Sequence, residues 1–153
     1  MASPTLSSSI TLQGCKILIV DDDRMNLRIL GGILKNAGYA LAEASSGEQA
    51  IDCYTQLRPD LVCRDVRMSG INGFDTCRRL KQLHGHDCAP IIFITAKNES
   101  DDVVEGFTAG GVDYLPKPFQ PKEVLARIRT HLQTQLLTAQ QKSLVEELSN
   151  ANA

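Results

Sequence analysis

Side chains that can bind a cation or a phosphate stand where four apolar, strand-like runs of this sequence end. They are a run of acids, a further acid, a hydroxyl and a lysine: Asp21, Asp22, Asp23, Asp65, Thr95 and Lys117. In a parallel α/β sheet all strand C-termini lie on one edge, and ligands bind there. We therefore expect one pocket that contains carboxylates, a hydroxyl and a cation. Carboxylates held so closely repel each other unless a positive charge sits among them.

The elements that would position these groups alternate between strand-like and helical patterns. Strands are predicted over residues 16–20, 39–44, 61–65, 90–95 and 112–115. The first helix would carry Leu27, Leu30, Leu34 and Ala37 on one apolar stripe and end at Gly38. Later helical patterns open at Ser46, cover residues 74–83 and 100–109, and begin again at Pro121. This alternation predicts parallel strands with right-handed crossovers and helices on both faces of the sheet.

The last helical pattern runs well past Leu132, where a compact domain would no longer need it. Its apolar positions keep an imperfect heptad: Leu136, Leu137, Leu144, Val145 and Leu148. We expect a flexible leader over residues 1–14, a compact domain over 15–132 and a helical extension over 133–153. The extension is either a frayed tail, or a coiled coil or linker that leads to a further output domain.

Composition excludes several classes of protein. Hydrophobic residues make up 42% and charged residues 22% of the chain, which is ordinary globular usage. The formal net charge of −2 does not indicate direct contact with nucleic acid or an anionic membrane. No apolar run approaches the roughly 20 residues of a membrane span, and the start does not resemble a signal peptide. We expect a cytoplasmic protein without membrane insertion.

The cysteines and histidines do not form a metal or disulfide pattern. The chain has 5 cysteines and no Cys-x-x-Cys pair, which favours reduced thiols in a reducing compartment. The histidines show no ligand spacing with the cysteines. His84 and His86 fall in a polar turn, where solvated side chains are expected.

Four motifs, in their order along the chain, resemble those of the receiver domain of two-component response regulators. They are Asp21-Asp22, Asp65, Thr95-Ala96 and Lys117-Pro118-Phe119, and the likeness covers residues 16–132. Any one motif is weak, but all four at the right strand ends are specific. The resemblance implies a flavodoxin-like five-stranded parallel sheet of order 2-1-3-4-5, with helices on both faces and here an extended C-terminal helix.

The resemblance implies a role for each group in phosphoryl transfer. Asp65 would be the phosphoacceptor, whose carboxylate attacks phosphorus and becomes an acyl phosphate. Lys117, the Thr95 hydroxyl and the backbone N–H of Ala96 would bind the phosphoryl oxygens. Thr95 and Tyr114 would form the switch, which changes the surface of the fourth helix, fifth strand and fifth helix. The family also usually has a cis peptide between this lysine and proline.

The resemblance also implies a divalent cation, Mg²⁺ with Mn²⁺ as a substitute. Asp22, Asp65 and the backbone carbonyl of Arg67 would bind it directly, and Asp21 would bind it through water. Asp23 is assigned instead to capping the following helix. Arg64 departs from the pattern, because this position is usually apolar; we expect it either to snorkel or to meet a carboxylate.

The function implied is a phosphorylation-dependent signalling switch that receives a phosphoryl group from a phosphohistidine partner. That partner would be a sensor histidine kinase or a phosphotransfer protein. A homodimer through helices four and five or through the C-terminal helix is also expected. The chain would catalyse its own phosphorylation and dephosphorylation without being a metabolic enzyme.

One alternative is a phosphorylation-independent dimerisation module that uses the C-terminal helix. Another is a Mg²⁺-dependent phosphatase with an aspartate nucleophile, for which no cap domain is visible.

Overall fold

The architecture is that of a computed structural model, which describes residues 12–66, 73–85, 88–96 and 110–151. Its strands are β1 Lys16–Val20, β2 Ala40–Ala44, β3 Leu61–Asp65, β4 Ile91–Ala96 and β5 Asp113–Lys117. Its helices are α1 Arg24–Asn36, α2 Gly47–Leu57, α3 Gly73–His84 and α4 Pro121–Ala151. The predicted helix over 100–109 and the loop after Asp65 lie outside the described residues.

The strands form one parallel sheet in the order β2-β1-β3-β4-β5. This confirms the predicted flavodoxin-like fold with helices around the sheet and a C-terminal helix. β2 lies on one side of β1 and the later strands lie on the other, so the strand order reverses at β1. β1 and β3 are therefore neighbours at the point where ligands bind in this fold. Both strands that carry the predicted acids therefore end next to each other.

Two apolar cores cover the two faces of the sheet. On one face, Leu18, Val62 and Phe93 pack with side chains of α2 and α3. On the other face, residues such as Ile19 and Ile92 pack with side chains of α1 and α4. Complete burial of one such side chain stabilises the fold by about 1.5–3 kcal/mol. The sheet is thus fixed from both sides, and its polar C-terminal edge is left for chemistry.

The helix ends follow the local signals of the sequence. Asp23 is the N-cap of α1, and its Oδ1 accepts a hydrogen bond of 2.8 Å from the Met25 N–H. After α1, Gly38 has a φ of +95°, a conformation that favours glycine. The prediction that Ala37 belongs to the buried stripe was wrong. Ala37 is the exposed C-cap residue, because the helix ends before its side chain can face the sheet.

The first turns of the last helix, α4, attach it to the sheet. Val124, Ile128 and Leu132 are buried. Beyond them, Leu137, Leu144 and Val145 are exposed. Within the described residues, no helix is both long and apolar enough to cross a membrane. The predicted division into leader, compact domain and extension stays a prediction.

Candidate functional site

The centre of the site is the Asp65 carboxylate at the end of β3. Its Oδ2 accepts a hydrogen bond of 2.7 Å from Nζ of Lys117, the last residue of β5. β4 lies between these strands, and it aligns Ile94 with Asp65 and Ala96 with Lys117. The strand register therefore brings together two residues that are 52 positions apart. The peptide bond between Lys117 and Pro118 is cis, as expected.

Asp21 adds a second buried carboxylate to the same edge. It is 1% exposed, and its oxygens accept hydrogen bonds from the Asp23 N–H at 2.9 Å and from Asn26 Nδ2 at 3.1 Å. Burial raises the pKa of Asp21 to about 6, and the neighbouring charge of Asp65 acts in the same direction. The two hydrogen bonds act against this rise. A carboxyl group so placed would ionise more readily beside a cation.

The acids of the triplet separate into different environments. Asp21 is buried, whereas Asp22 and Asp23 are exposed at the start of the loop that leads to α1. Asp23 uses its side chain as the helix cap. Asp22 is exposed, so its side chain is accessible to a hydrated cation from solvent.

The hydroxyl and the aromatic residue of the predicted switch lie on neighbouring strands. Thr95 is 2% exposed and is aligned with Pro116. Tyr114 is half-buried, and the Arg127 guanidinium lies over its ring, 5.0 Å from the centroid. Arg127 is itself paired with Asp113, whose other oxygen lies 2.9 Å from His131 Nε2. β5 is thus linked to α4 through Asp113, by an ion pair with Arg127 and a hydrogen bond with His131.

The donor set fits Mg²⁺ in kind. Mg²⁺ prefers carboxylate and carbonyl oxygens and keeps several waters, so it needs few protein ligands. Asp21, Asp22 and Asp65 supply such oxygens at one edge of the sheet. The backbone carbonyl of Arg67, the remaining predicted ligand, lies outside the described residues. Across the described parts of the chain, no group of at least three His, Cys, Asp or Glu side chains is already arranged as a metal site.

Asn26 and Thr76 contribute to the site although no motif of the sequence singles them out. Asn26 supplies an amide donor to Asp21 from the first turn of α1. Thr76, in α3, accepts a hydrogen bond of 2.9 Å from Nη2 of Arg64. The only signal for Asn26 is an amide shortly after the acidic triplet, and Thr76 could not be found without the position of α3.

Arg64 does not snorkel to water, so that half of the expectation was wrong, whereas a meeting with a carboxylate is not contradicted. It is 1% exposed and lies in the central strand, aligned with Val20 on one side and Phe93 on the other. Burial lowers the pKa of its guanidinium, and the carboxylates of Asp65, Asp21, Asp22 and Glu48 oppose that shift.

All five cysteines are free thiols. Cys63, Cys77 and Cys88 are buried, and burial raises the pKa of each thiol. A raised pKa keeps a thiol protonated and unreactive at neutral pH. These residues therefore serve as small core side chains.

Similar proteins share the fold and much of the sequence. The DNA-binding response regulator MtrA of Mycolicibacterium paratuberculosis is 43% identical over 117 residues, which cover 76% of this chain and 51% of MtrA. The structure of a response regulator from Chloroflexus aurantiacus is 37% identical with a TM-score of 0.75, covering 78% of this chain and 98% of that one. CheY4 of Vibrio cholerae, a chemotaxis response regulator, is 26% identical with a TM-score of 0.72, covering 78% and 99%.

The prediction of no direct contact with nucleic acid was wrong. MtrA is named as a DNA-binding protein. The chain spans about half the length of the curated relatives that it matches. The formal net charge of −2 belongs to this chain alone. It therefore says nothing about the half of those relatives that this chain does not match.

The family assignment depends on more than one relative. The model for the response regulator receiver domain matches residues 17–129. The sheet order and the acidic edge described above agree with that match. This chain belongs to the response regulator receiver domain family.

Proposed function

We propose that the chain is a phosphorylation-dependent switch in which Asp65 accepts a phosphoryl group from a phosphohistidine of a partner protein. An oxygen of Asp65 attacks phosphorus, the bond between phosphorus and the histidine nitrogen breaks, and an acyl phosphate forms. The observation that carries this proposal is the buried Asp65 carboxylate held 2.7 Å from Lys117 Nζ, beside Asp21. Water later removes the phosphoryl group.

The neighbouring residues have separate tasks in this proposal. Lys117 binds a phosphoryl oxygen as a point charge, and it already lies at the acceptor. The Thr95 hydroxyl and the Ala96 N–H donate hydrogen bonds to the remaining oxygens. Asp22, Asp65 and the Arg67 carbonyl would hold Mg²⁺ directly and Asp21 would hold it through water; the ion would offset the carboxylate charge and screen Asp65 from the anionic phosphoryl group.

The switch itself uses Thr95 and Tyr114. When Thr95 moves toward the phosphoryl group it leaves space on the sheet, and the Tyr114 ring turns inward. That turn would separate the ring from the Arg127 guanidinium, which now lies 5.0 Å from its centroid. The surface of β5 and α4 then differs between the two states, as a two-state element requires.

The test is incubation with a small acyl phosphate and Mg²⁺, followed by intact mass spectrometry. We expect wild type to gain one phosphoryl group, and Asp65→Asn and a sample with chelator to gain none. Asp52→Asn is the matched control, because Asp52 is an exposed acid on α2, and it should behave as wild type. No gain in wild type, or an equal gain in Asp65→Asn, would contradict the proposal.

For the whole protein we propose that this switch controls DNA binding. The support is the name of MtrA and the fact that this chain matches only about half of MtrA. Fluorescence anisotropy of the full-length gene product on genomic DNA fragments, with and without phosphorylation, tests this. Equal affinity in both states, or no binding in either, would contradict it.

A second candidate function is a dimerisation module that works without phosphorylation. The exposed apolar side chains of Leu137, Leu144 and Val145 on α4 favour it. It predicts one oligomeric state for both the phosphorylated and the unphosphorylated chain. Light scattering on the two forms, with Asp65→Asn as reference, separates it from the switch.

A further inference from the structure

The carboxylate of Asp113 joins three groups around Tyr114, the aromatic residue of the proposed switch. Its Oδ1 accepts hydrogen bonds from the Tyr114 N–H, at 2.8 Å, and from Nη1 of Arg127. Its Oδ2 lies 2.9 Å from Nε2 of His131, and because an ionised carboxylate only accepts, the imidazole donates from Nε2. One side chain of β5 thus fixes two side chains of α4.

The guanidinium of Arg127 is held by two acids and lies over the ring of Tyr114. Its Nη1 binds Asp113, its Nη2 lies 3.3 Å from Oε2 of Glu123, and its Cζ lies 5.0 Å from the ring centroid. The side chain of Asp113 is 17% exposed and that of Glu123 is 39% exposed. Asp113 is therefore the stronger anchor, because exposed ion pairs contribute little.

The contact between Arg127 and Tyr114 reaches around the edge of the sheet. Leu115 packs in the core that α4 covers, so Asp113, two residues earlier, points toward the same face. Tyr114 lies between them and points toward the opposite face, where it is aligned with Phe93. Because β5 is the last strand of the sheet, the guanidinium can pass the edge and reach the ring. An inward turn of the ring would end this contact.

We propose that Asp113 is a positioning residue that holds Arg127 over the Tyr114 ring and thereby favours the unphosphorylated state of the switch. His131 supports it by fixing the second oxygen of Asp113. The inference rests on the proposed function, because it assumes that the ring turns inward when Asp65 is phosphorylated. A contact made in only one of two states stabilises that state. A cation over an aromatic ring corresponds to a factor of about 2 to 30 in the ratio of the two states.

The experiment is fluorine NMR of the full chain labelled with fluorotyrosine, before and after phosphorylation by a small acyl phosphate and Mg²⁺. Tyr114→Phe removes one signal and so identifies Tyr114 among the 3 tyrosines. We expect Asp113→Asn to move the Tyr114 signal of the unphosphorylated chain toward its phosphorylated position. The phosphorylated signal should stay that of wild type, because Arg127 no longer contacts the ring in that state. Asp52→Asn, at an exposed acid of α2, is the matched control and should leave both signals unchanged.

An equilibrium measurement separates a positioning role from a local structural one. Beryllofluoride mimics a phosphoryl group on a carboxylate, and its affinity in Mg²⁺ is measured by calorimetric titration. By linkage, Asp113→Asn should bind it about three- to tenfold more tightly than wild type, because more of the chain is already in the inward state. Arg127→Met should have a similar effect. Addition of Asp113→Asn to Arg127→Met should then change the affinity by less than about twofold.

The possible results separate this inference from the proposed function. If the Tyr114 signal is the same before and after phosphorylation, the proposed switch fails and the inference fails with it. If that signal differs but Asp113→Asn leaves it and the beryllofluoride affinity at wild-type values, only the inference is overturned. If Asp113→Asn has its full effect in the Arg127→Met background, Asp113 acts without Arg127 and the inference is overturned. His131→Ala, which keeps both Asp113 and Arg127, replaces Asp113→Asn if that variant does not fold, and it should shift signal and affinity in the same direction.

Discussion

Lys117 Nζ lies 2.7 Å from Asp65 Oδ2, and the two side chains differ in exposure, 34% for the lysine and 6% for the aspartate. The lysine side of the pair is therefore accessible to solvent, whereas the carboxylate side is buried. In the proposed reaction, a phosphoryl group that approaches from solvent would meet Lys117 before the buried carboxylate.

Replacement of Lys117 by methionine should lower both the stability of the fold and the rate of phosphorylation, and the two effects can be measured separately. The variant leaves the buried Asp65 carboxylate without its contact of 2.7 Å, so we expect a loss of about 1–3 kcal/mol in the free energy of unfolding. Phosphorylation by a small acyl phosphate should slow by at least about tenfold. Urea melts and timed mass spectrometry measure the two effects. Lys122→Met, on the exposed side of α4, is the control and should change neither.

The pH dependence of the free energy of unfolding should show the titration of the Asp21 carboxyl group. Its pKa is raised from 3.8 to about 6, so the folded state binds this proton more tightly than the unfolded state does. That contribution is fully present below pH 3.8 and is lost as the pH rises through about 6. In chelator, Asp21→Asn should therefore be more stable than wild type at pH 8, by roughly 1–3 kcal/mol. Urea melts from pH 4 to pH 8 test this.

The control for Asp21 is Asp52→Asn, which should follow the wild-type pH profile. Mg²⁺ should restore much of the wild-type stability at pH 8, because a cation favours the ionised carboxylates. The same addition should stabilise Asp21→Asn less. Parallel pH profiles for wild type and Asp21→Asn would show that the folded state does not hold this proton.

Asp23 should matter for stability but not for phosphoryl transfer. Asp23→Ala removes the cap bond of 2.8 Å to the Met25 N–H, and loss of such a cap costs about 1 kcal/mol. The extent of phosphorylation should remain that of wild type. Ser46→Ala, which removes the equivalent cap of α2, is the matched comparison. A block of phosphorylation in Asp23→Ala would place Asp23 with Asp21 and Asp22 instead.

Truncation after Thr138 tests the division of the chain. Val124, Ile128 and Leu132, which attach α4 to the sheet, are all retained. We therefore expect the midpoint of thermal unfolding to change by no more than about 2 °C, since Leu144 and Val145 in the removed segment are exposed. Circular dichroism melts at two protein concentrations provide the measurement. A larger fall that depends on concentration would show that the extension stabilises an oligomer.

The fold was predictable because local and long-range signals agree. After Lys16, the strand that ends at Val20 is apolar and mostly β-branched, and Asp21 follows it directly, so its boundaries were predicted without error. The register that joins Asp65 to Lys117 follows from the parallel sheet once the family resemblance is accepted. Ala37 shows the limit of periodicity, because the same spacing continues through a cap residue after the helix has ended.

The environment of Arg64 could not be predicted from the sequence. A charged residue in a central strand has several ways to reach a partner, and only the position of α3 brings the Thr76 hydroxyl to it. The contact between Asn26 and Asp21 likewise depends on where α1 leaves the edge of the sheet. The packing of separate elements decides which of their side chains meet, and the sequence pattern alone does not show this packing.

The length of α4 has a mechanical consequence. From the buried Leu132 to its end at Ala151 the helix extends by about 28 Å at 1.5 Å per residue. A tilt of about 10° at its attachment to the sheet displaces the far end by about 5 Å. If the proposed turn of the Tyr114 ring tilted the helix in this way, the far end would move by a distance comparable to one helical turn.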